Sequence, residues 1–319
     1  MKKKCILCKK EKKENEFSKE HIFPEAIGNR HLVIDNVCRD CNTKILSKID
    51  VFLTDNILTQ TRRQWFRVPG KKGYIPNPFG EGFLSEDQRQ KVRVIINDSD
   101  KLEIEFLPLI IKSNENNGLE LISITMDRNK EKELPALINK ILSRKNLQEL
   151  PEDEIKKNII PITNEKPEII IKWSFNKIEY KKAIIKIAYE LAYYFLGDAY
   201  SNDNIGEKIR LFLKDDSTDF SNHEIYGDID IYDPIIDPGH KCIEEFLNKL
   251  EIKDFYHVAY IMGNKSDNKI SVIIKIFDVF VGIIVISDNY SKYTIPKKDL
   301  IIINPQNGKL EILSIEERI

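Results

Sequence analysis

The sequence is poor in cysteine, methionine and tryptophan: five Cys, three Met and two Trp occur among 319 residues. It has no apolar run long enough to span a bilayer, because runs such as residues 279–286 have the length of strands. The opening Met-Lys-Lys-Lys is basic but is not followed by the apolar segment of a signal peptide. These absences argue against a disulfide-rich secreted domain or a membrane protein, and they predict a cytoplasmic protein.

Several common motifs are also missing. The sequence contains no Gly-rich phosphate loop, no nucleophile elbow and no internal repeat. Charged residues make up 32% of the chain and hydrophobic residues 41%, which is typical of soluble proteins. The length is sufficient for two or three domains, each with its own core.

Cysteine is instead concentrated near the N-terminus. Four of the five cysteines form two Cys-x-x-Cys pairs, Cys5/Cys8 and Cys38/Cys41. Paired thiolates at this spacing can close a tetrahedral site around one ion. Two disulfides are the alternative, and a reducing compartment disfavours them. We therefore predict that Cys5, Cys8, Cys38 and Cys41 hold a structural Zn²⁺, and that Cys242 is a lone buried thiol.

Between the two pairs lies a set of short motifs: Glu20-His21-Ile22-Phe23-Pro24, Gly28-Asn29, Asp35-Asn36 and Cys41-Asn42. These motifs resemble the HNH endonuclease family, in which a two-stranded hairpin and a helix form the active site, often beside a zinc knuckle. The resemblance is specific over about residues 1–50. The segment KIAYELAYYFLG, at residues 186–197, also resembles one that often follows such a module.

The resemblance implies roles for four residues. His21 would accept a proton from water, because its ordinary pKa of about 6.5 suits that role near neutral pH. Glu20 and Asn42 would be oxygen ligands of a catalytic Mg²⁺ or Mn²⁺. Asn36 would hold the hairpin that carries His21. The family commonly has Asp and His at the positions of Glu20 and Asn42, and both replacements keep an oxygen for a hard cation. The alternative is that His21 is a surface or zinc-proximal histidine without chemistry.

Charge is unevenly distributed along the chain. The net charge is −1, but residues 1–72 carry 17 Lys or Arg against nine Asp or Glu, a net of +8, which leaves −9 for the remainder. A basic segment joined to an acidic body is consistent with a localised phosphate-binding face. Abundant surface lysine is the alternative explanation.

Residue periodicity predicts an α+β protein. In the N-terminal module we expect strands at 18–23 and 31–34 and a helix at 40–58 with Asn42 in its first turn. Further strands are predicted at 91–97, 101–111, 119–126, 168–175, 255–262, 269–277, 279–287 and 310–313. Further helices are predicted at 134–143, 178–197, 205–213 and 241–250, and the helix at 178–197 is the strongest of these.

We expect three regions: an HNH ββα-metal module with the zinc site at 1–62, a basic and aromatic linker at 63–90, and a mixed α/β region with antiparallel strands at 91–319, divisible again near residue 176. The linker residues Trp65 and Phe66 suit a nucleic-acid backbone, or alternatively Trp65 packs on the next domain. His31 either faces DNA or lies on the hairpin surface. His223, His240 and His257 lack the spacing of metal ligands and are expected to be structural or solvated.

The sequence therefore predicts a metal-dependent endonuclease that hydrolyses DNA phosphodiester bonds. The resemblance associates such chains with bacterial defence against phage or with mobile elements. The C-terminal region would then be a sensor or partner-binding region, with an activating ligand, a protein partner or a second copy of the chain as its partner. Two alternatives stay open: a non-catalytic zinc-stabilised nucleic-acid-binding protein, and an HNH nuclease that cleaves RNA.

Overall fold

The computed structural model describes residues 2–70, 72–97, 101–114, 120–162, 167–215, 227–228, 245 and 248–317. Its backbone contacts divide the chain into two compact units. The first unit contains Met1–Pro78 and Ser174–Ile319, and the second is the intervening segment Phe79–Trp173. The domain boundaries that the sequence predicts at residues 62 and 90 stay predictions.

Seven α-helices and sixteen strands are present in the described residues. The helices are α1 (Arg39–Cys41), α2 (Ser47–Thr54), α3 (Ile57–Trp65), α4 (Leu134–Arg144), α5 (Glu152–Lys157), α6 (Lys177–Leu196) and α7 (Asn204–Lys214). The strands are β1 (Lys2–Lys4), β2 (Glu11–Lys13), β3 (Phe17–His21), β4 (Val33–Cys38), β5 (Glu81–Leu84), β6 (Lys91–Ile96), β7 (Leu102–Phe106), β8 (Leu109–Asn114), β9 (Glu120–Thr125), β10 (Ile169–Ile170), β11 (Gly227–Asp228), β12 (His257–Asn264), β13 (Lys269–Ile276), β14 (Phe280–Ser287), β15 (Leu300–Ile303) and β16 (Leu310–Leu313). Helices combined with antiparallel sheets confirm the predicted α+β class.

Two predicted elements are divided in the structure. The helix expected at 40–58 ends at Thr54, because the side chain of Asn56 accepts a hydrogen bond from the Thr59 N–H and so begins α3. The strand expected at 101–111 is split into β7 and β8, which lie in different sheets. Pro108 lies between them and has no N–H to contribute to a continuous ladder.

In the first unit, six antiparallel strands form one sheet in the order β11-β14-β13-β12-β15-β16. Helix α6 contacts α2, α7, β13 and β14. It is buried on most of its circumference, from Tyr180 to Tyr193, as its apolar sequence predicts. Strand β15, with the sequence Leu-Ile-Ile-Ile, was not predicted, although all four residues are buried.

One hydrophobic core joins the N-terminal module to the C-terminal part of the first unit. It contains Ile22 and Phe23 beside β3, Val37 in β4, and apolar residues of α6 and the six-stranded sheet. Val37 of β4 and Tyr180 of α6 belong to this core, although they are more than 130 positions apart in the chain. The hairpin β3–β4 is therefore buried in part by residues from much later in the sequence.

The second unit contains a four-stranded sheet in the order β10-β5-β6-β7 and a separate hairpin, β8–β9. Helices α4 and α5 belong to the same unit, and α5 was not predicted from the sequence. Most of the helix predicted at 241–250 lies outside the described residues, as do His223, His240 and Cys242. Within the described part of the chain, no helix combines the length and apolar character needed to cross a bilayer.

Candidate active site and metal centre

The four N-terminal cysteines converge on one point. The turn between β1 and β2 carries Cys5 and Cys8, Cys38 ends β4, and Cys41 ends the helical turn α1. Their four sulfur atoms all lie within 4.8 Å of one another, and Cys8 Sγ and Cys38 Sγ are 3.9 Å apart. No disulfide joins them.

This sulfur geometry fits a zinc ion. A tetrahedral Zn²⁺ with Zn–S bonds of about 2.3 Å places its ligand sulfurs about 3.8 Å from one another. The hydrogen bond from the Cys41 thiol lowers the pKa of the Cys5 thiol to about 4 and raises that of Cys41. Four neighbouring thiols therefore cannot all ionise without a cation among them, and a bound Zn²⁺ would supply that charge.

The hairpin β3–β4 carries the two central residues of the predicted active site. Glu20 pairs with Ile34 and His21 pairs with Val33 in the antiparallel register. Successive side chains of a strand point to opposite faces. Glu20 is accordingly buried, with 4% of its surface exposed, whereas His21 is half-buried at the end of β3.

Asn42 lies at the start of a π-helical segment, Asn42–Leu46, that connects α1 to α2. Such segments are rare and frequently occur at functional sites. The Asn42 side chain donates a 3.2 Å hydrogen bond to the carbonyl oxygen of Lys19, and its Oδ1 accepts one of 3.3 Å from Ser47 Oγ. The bond to Lys19 therefore joins the start of the π-helical segment to β3, at the residue before Glu20.

The loop between the two strands is held by Asn29, which the sequence analysis named only as part of the Gly28-Asn29 motif. Its buried amide group donates to the carbonyl oxygens of Phe23 and Leu32, both at 2.8 Å. Its oxygen accepts from the backbone N–H groups of His31 at 3.2 Å and Leu32 at 2.9 Å. His31 itself is exposed. The glycine before Asn29 has φ +99°, and a Cβ there would lie 2.2 Å from the Pro305 oxygen, so only glycine fits.

Asn36, which the resemblance assigns to holding the hairpin, makes a different contact. Its amide donates a 2.6 Å hydrogen bond to the hydroxyl of Tyr193 in α6, and that hydroxyl donates to Asp198. These residues line a groove of about 540 Å³ together with Lys19, Val33, Ile34, Asp35, Tyr194 and Gly197. The groove therefore runs between β4 and the C-terminal end of α6.

The Glu20 carboxylate lies in a buried ion cluster centred on Lys186 of α6. The Lys186 ammonium is 2.6 Å from Glu20, 3.0 Å from Glu190 and 3.1 Å from Asp50. It also donates a 3.0 Å hydrogen bond to the carbonyl oxygen of His21. The Lys186 side chain is fully buried, so water cannot share in these contacts.

Opposing effects act on the ionisation of this cluster. Burial alone would lower the pKa of Lys186, but Asp50, Glu190 and Glu20 together raise it above its usual value, so the ammonium stays charged. Burial raises the pKa of Glu190 well above its ordinary value and also raises that of Glu20, although Lys186 opposes both shifts. The cluster has one positive and three negative formal charges, so repulsion between its carboxylates adds to the effect of burial on the pKa of both glutamates.

The structure thus places Glu20 and His21 at successive positions of β3, joins Asn42 to the Lys19 carbonyl oxygen of the same strand, and places Asn36 against Tyr193. Sequence reasoning did not identify Asp50, Lys186 or Glu190 as neighbours of this site. One signal was available: Lys186 and Glu190 are charged residues four apart within the apolar sequence of α6, and buried charges are retained only when they are paired.

The basic and aromatic segment at residues 62–74 has mixed contacts. Arg62 forms an ion pair of 2.5 Å with Asp278, and Arg63 is buried with a hydrogen bond to the Tyr74 carbonyl oxygen. Trp65 is 74% exposed and Tyr74 is 66% exposed. The exposed ring of Trp65 is consistent with the nucleic-acid interpretation of this segment.

A two-stranded hairpin followed by a helix and closed by four cysteines defines a metal-stabilised ββα module. Residues 5–58 match the model of a family described as HNH endonuclease. No curated protein and no solved structure matches the chain significantly. The predicted resemblance is confirmed: residues 5–58 form an HNH endonuclease domain with a four-cysteine cluster, in a chain of mixed helices and antiparallel sheets.

Proposed function

We propose that this chain is a metal-dependent endonuclease that hydrolyses DNA phosphodiester bonds, with His21 as the general base. The HNH domain itself implies nuclease activity on a nucleic acid. The observation that carries the assignment of His21 is its position. It ends β3 within the matched segment, directly after Glu20, and its side chain is only half-buried.

In the proposed reaction, the neutral imidazole of His21 accepts a proton from a water molecule. The oxygen of that water forms a bond to phosphorus, and one ester P–O bond breaks. The bonding electron pair leaves on the ester oxygen, which then takes up a proton. The contribution of His21 exists only in the transition state, so its loss lowers kcat more than it raises KM.

Glu20 and Asn42 supply the oxygen ligands for a divalent cation in this proposal. Lys186 lies on Oε1 of Glu20, so ligation by Glu20 falls to its other oxygen, Oε2. A bound Mg²⁺ or Mn²⁺ would stabilise the negative charge that develops on the leaving oxygen. The carboxylate and amide oxygens present here are of the type that such hard cations prefer.

Duplex DNA is proposed as the substrate because of the resemblance, and the net charge of +8 on residues 1–72 supports a polyanionic substrate. A role in bacterial defence against phage belongs to the same proposal and rests on the resemblance alone, as does a sensor or partner-binding role for the C-terminal region. Cleavage of a labelled RNA transcript in the presence of Mg²⁺ or Mn²⁺ would make RNA, in place of DNA, the proposed substrate.

A second candidate function is a zinc-stabilised nucleic-acid-binding protein without catalysis. One observation favours it: the Glu20 carboxylate is already engaged by Lys186. A plasmid assay separates the two functions. The nuclease proposal predicts cleavage with Mg²⁺ or Mn²⁺ that stops with EDTA, and the binding-only alternative predicts retarded but intact plasmid.

Matched variants of Asn42 test the ligand assignment. Asn42→Ala removes the side-chain oxygen and should need more metal to reach half-maximal rate, whereas Asn42→Asp keeps an oxygen and adds charge, so its metal requirement should be equal or lower. Equal metal dependence of Asn42→Ala and the wild type would remove Asn42 from the ligand set.

A further inference from the structure

Lys186 contacts the strand that carries His21 at two successive residues. Its Nζ atom is 2.6 Å from the Glu20 carboxylate and 3.0 Å from the carbonyl oxygen of His21. An ammonium group has three N–H donors and no acceptor, so Lys186 can serve both hairpin oxygens and keep one donor for the other carboxylates. The Lys186 side chain therefore fixes both the peptide group that follows His21 and the side chain of Glu20, the residue before His21.

We propose that Lys186 is a positioning residue of the nuclease site and sets the direction in which the His21 side chain points. This inference rests on the proposed function, because it assigns the consequence of the contact to catalysis. Helix α6, which lies outside the matched family segment, thereby completes the active site.

The geometry gives the physical reason. His21 is the last residue of β3, and two contacts hold the peptide group after it: Ile22 N–H donates to the Leu32 carbonyl oxygen, and Lys186 Nζ donates to the His21 carbonyl oxygen. The direction of a Cα–Cβ bond is determined by the two peptide groups that flank the residue. Lys186 holds the carbonyl of the second peptide group directly, and it holds the first through Glu20. Loss of the Lys186 contacts removes two of the constraints on the direction of the His21 side chain, and a misplacement of a catalytic group by about 1 Å lowers the rate about 10²-fold.

The surroundings of Lys186 indicate that stability alone does not explain it. Its neighbours on α6, such as Ile184 and Ile187, are fully buried apolar residues. A buried ion pair is weak support for stability, because desolvation of the charges offsets their attraction. The cluster instead brings together groups from β3, α2 and α6: Glu20, Asp50, Lys186 and Glu190. Asp50 and Glu190 fix the ammonium in place, and the ammonium in turn fixes the hairpin.

The test compares two buried lysines on the same helix in the full-length, zinc-loaded protein. Lys186→Met removes the contacts with Glu20 and His21. Lys182→Met is the matched control, because Lys182 is one turn earlier on α6, is 7% exposed, and bonds the Asp215 carbonyl oxygen beside the Phe212 ring. The double variant Lys186→Met/Glu190→Gln restores the net formal charge of the cluster and is used if Lys186→Met does not fold.

Two readouts are required. The first is plasmid cleavage at saturating Mg²⁺, resolved into kcat and KM. The second is amide hydrogen exchange of residues 17–23 and 32–38, which contain the hydrogen bond from Ile22 N–H to the Leu32 carbonyl oxygen. We expect kcat to fall about 10²-fold in Lys186→Met with KM unchanged, and exchange in these segments to rise. Lys182→Met should leave kcat unchanged, and its hydrogen exchange in these segments should rise no more than its loss of overall stability explains.

Each outcome is decisive. If wild type cleaves and Lys186→Met cleaves as fast as Lys182→Met, Lys186 is a structural residue and the inference is wrong while the proposed function stands. If no variant and no wild-type protein cleaves any nucleic acid, the proposed function is wrong. Hydrogen exchange then still decides the contact: unchanged exchange of the hairpin in Lys186→Met overturns the positioning role, and faster exchange than in Lys182→Met supports it.

Discussion

Nε2 of His257 donates a hydrogen bond of 2.8 Å to the carbonyl oxygen of Ile27, in the loop between the two strands of the nuclease hairpin. Nδ1 of the same ring accepts a 3.2 Å hydrogen bond from the Phe277 N–H, which fixes the tautomer. The ring is fully buried and stacks on Phe23 with a centroid distance of 5.7 Å. A histidine of the C-terminal sheet thus anchors the loop that follows His21.

This environment predicts a specific pH dependence of stability. Burial lowers the pKa of His257 from 6.5 to about 3, so the folded state keeps the ring neutral where the unfolded chain binds a proton. The contribution of His257 is fully present above pH 6.5 and decreases as the pH falls toward 3. Between pH 5 and 6, the contribution of His257 to the free energy of unfolding should fall by about 1 kcal/mol for each unit by which the pH is lowered.

His257→Gln removes this titration and should show a flatter pH profile in chemical denaturation than the wild type. The exposed His31, changed to Gln, is the control and should follow the wild type. Parallel profiles for His257→Gln and the wild type would show that the ring is not held neutral in the fold.

The four-cysteine cluster predicts one Zn²⁺ per chain. Cys8→Ala removes one sulfur from the set whose members lie within 4.8 Å of one another, so zinc content should fall toward zero. The melting temperature should fall with it, because metal binding contributes to folding free energy. Cys242→Ala is the control and should retain full zinc. Elemental analysis is the measurement, and freshly purified wild-type protein without zinc would contradict this prediction.

Asn29 and Asn36 should differ in their contribution to stability. Asn29→Ala removes four hydrogen bonds in a buried loop and should lower the unfolding free energy by about 2–4 kcal/mol. Asn36→Ala removes the bond to Tyr193 and should cost about 1 kcal/mol. Chemical denaturation of both variants measures the difference. A larger loss of unfolding free energy in Asn36→Ala than in Asn29→Ala would indicate that Asn36 is the main residue that holds the hairpin.

Trp65 should contribute to nucleic-acid binding without contributing to stability. Its side chain is 74% exposed at the end of α3, near the exposed Arg67. Stacking of a base on an aromatic ring contributes about 1–3 kcal/mol, so Trp65→Ala should weaken the affinity for DNA at least about fivefold. Trp173→Ala, the other tryptophan of the chain, is the control. Fluorescence anisotropy with labelled DNA measures both, and equal affinities would exclude Trp65 from the interface.

The nuclease module and the fold class could be predicted from the sequence because their signals are local. Two Cys-x-x-Cys pairs and the Glu20-His21 motif lie within 40 residues, and the apolar stretch of α6 shows its own period. The same reasoning missed β15, since a run of four apolar residues after the Pro-Lys-Lys turn region carries no periodicity.

The ion cluster could not be predicted, because it depends on contacts between distant parts of the chain. The bond from Lys186 to the His21 carbonyl oxygen spans 165 positions, and that from Asn36 to Tyr193 spans 157. Sequence periodicity shows that Lys186 lies in a buried helix, but it does not show which carboxylates surround the ammonium. The site residues were therefore predicted without reference to helix α6, which contacts the hairpin that carries Glu20 and His21.

The most direct test of the central claim is plasmid cleavage by His21→Ala in the presence of Mg²⁺ or Mn²⁺. Loss of a general base typically lowers the rate about 10²- to 10⁴-fold. We expect that loss with normal zinc content, normal melting temperature and normal DNA binding, because His21 is not a member of the four-cysteine cluster predicted to hold zinc. Cleavage by His21→Ala at the wild-type rate would contradict the assignment of the active site.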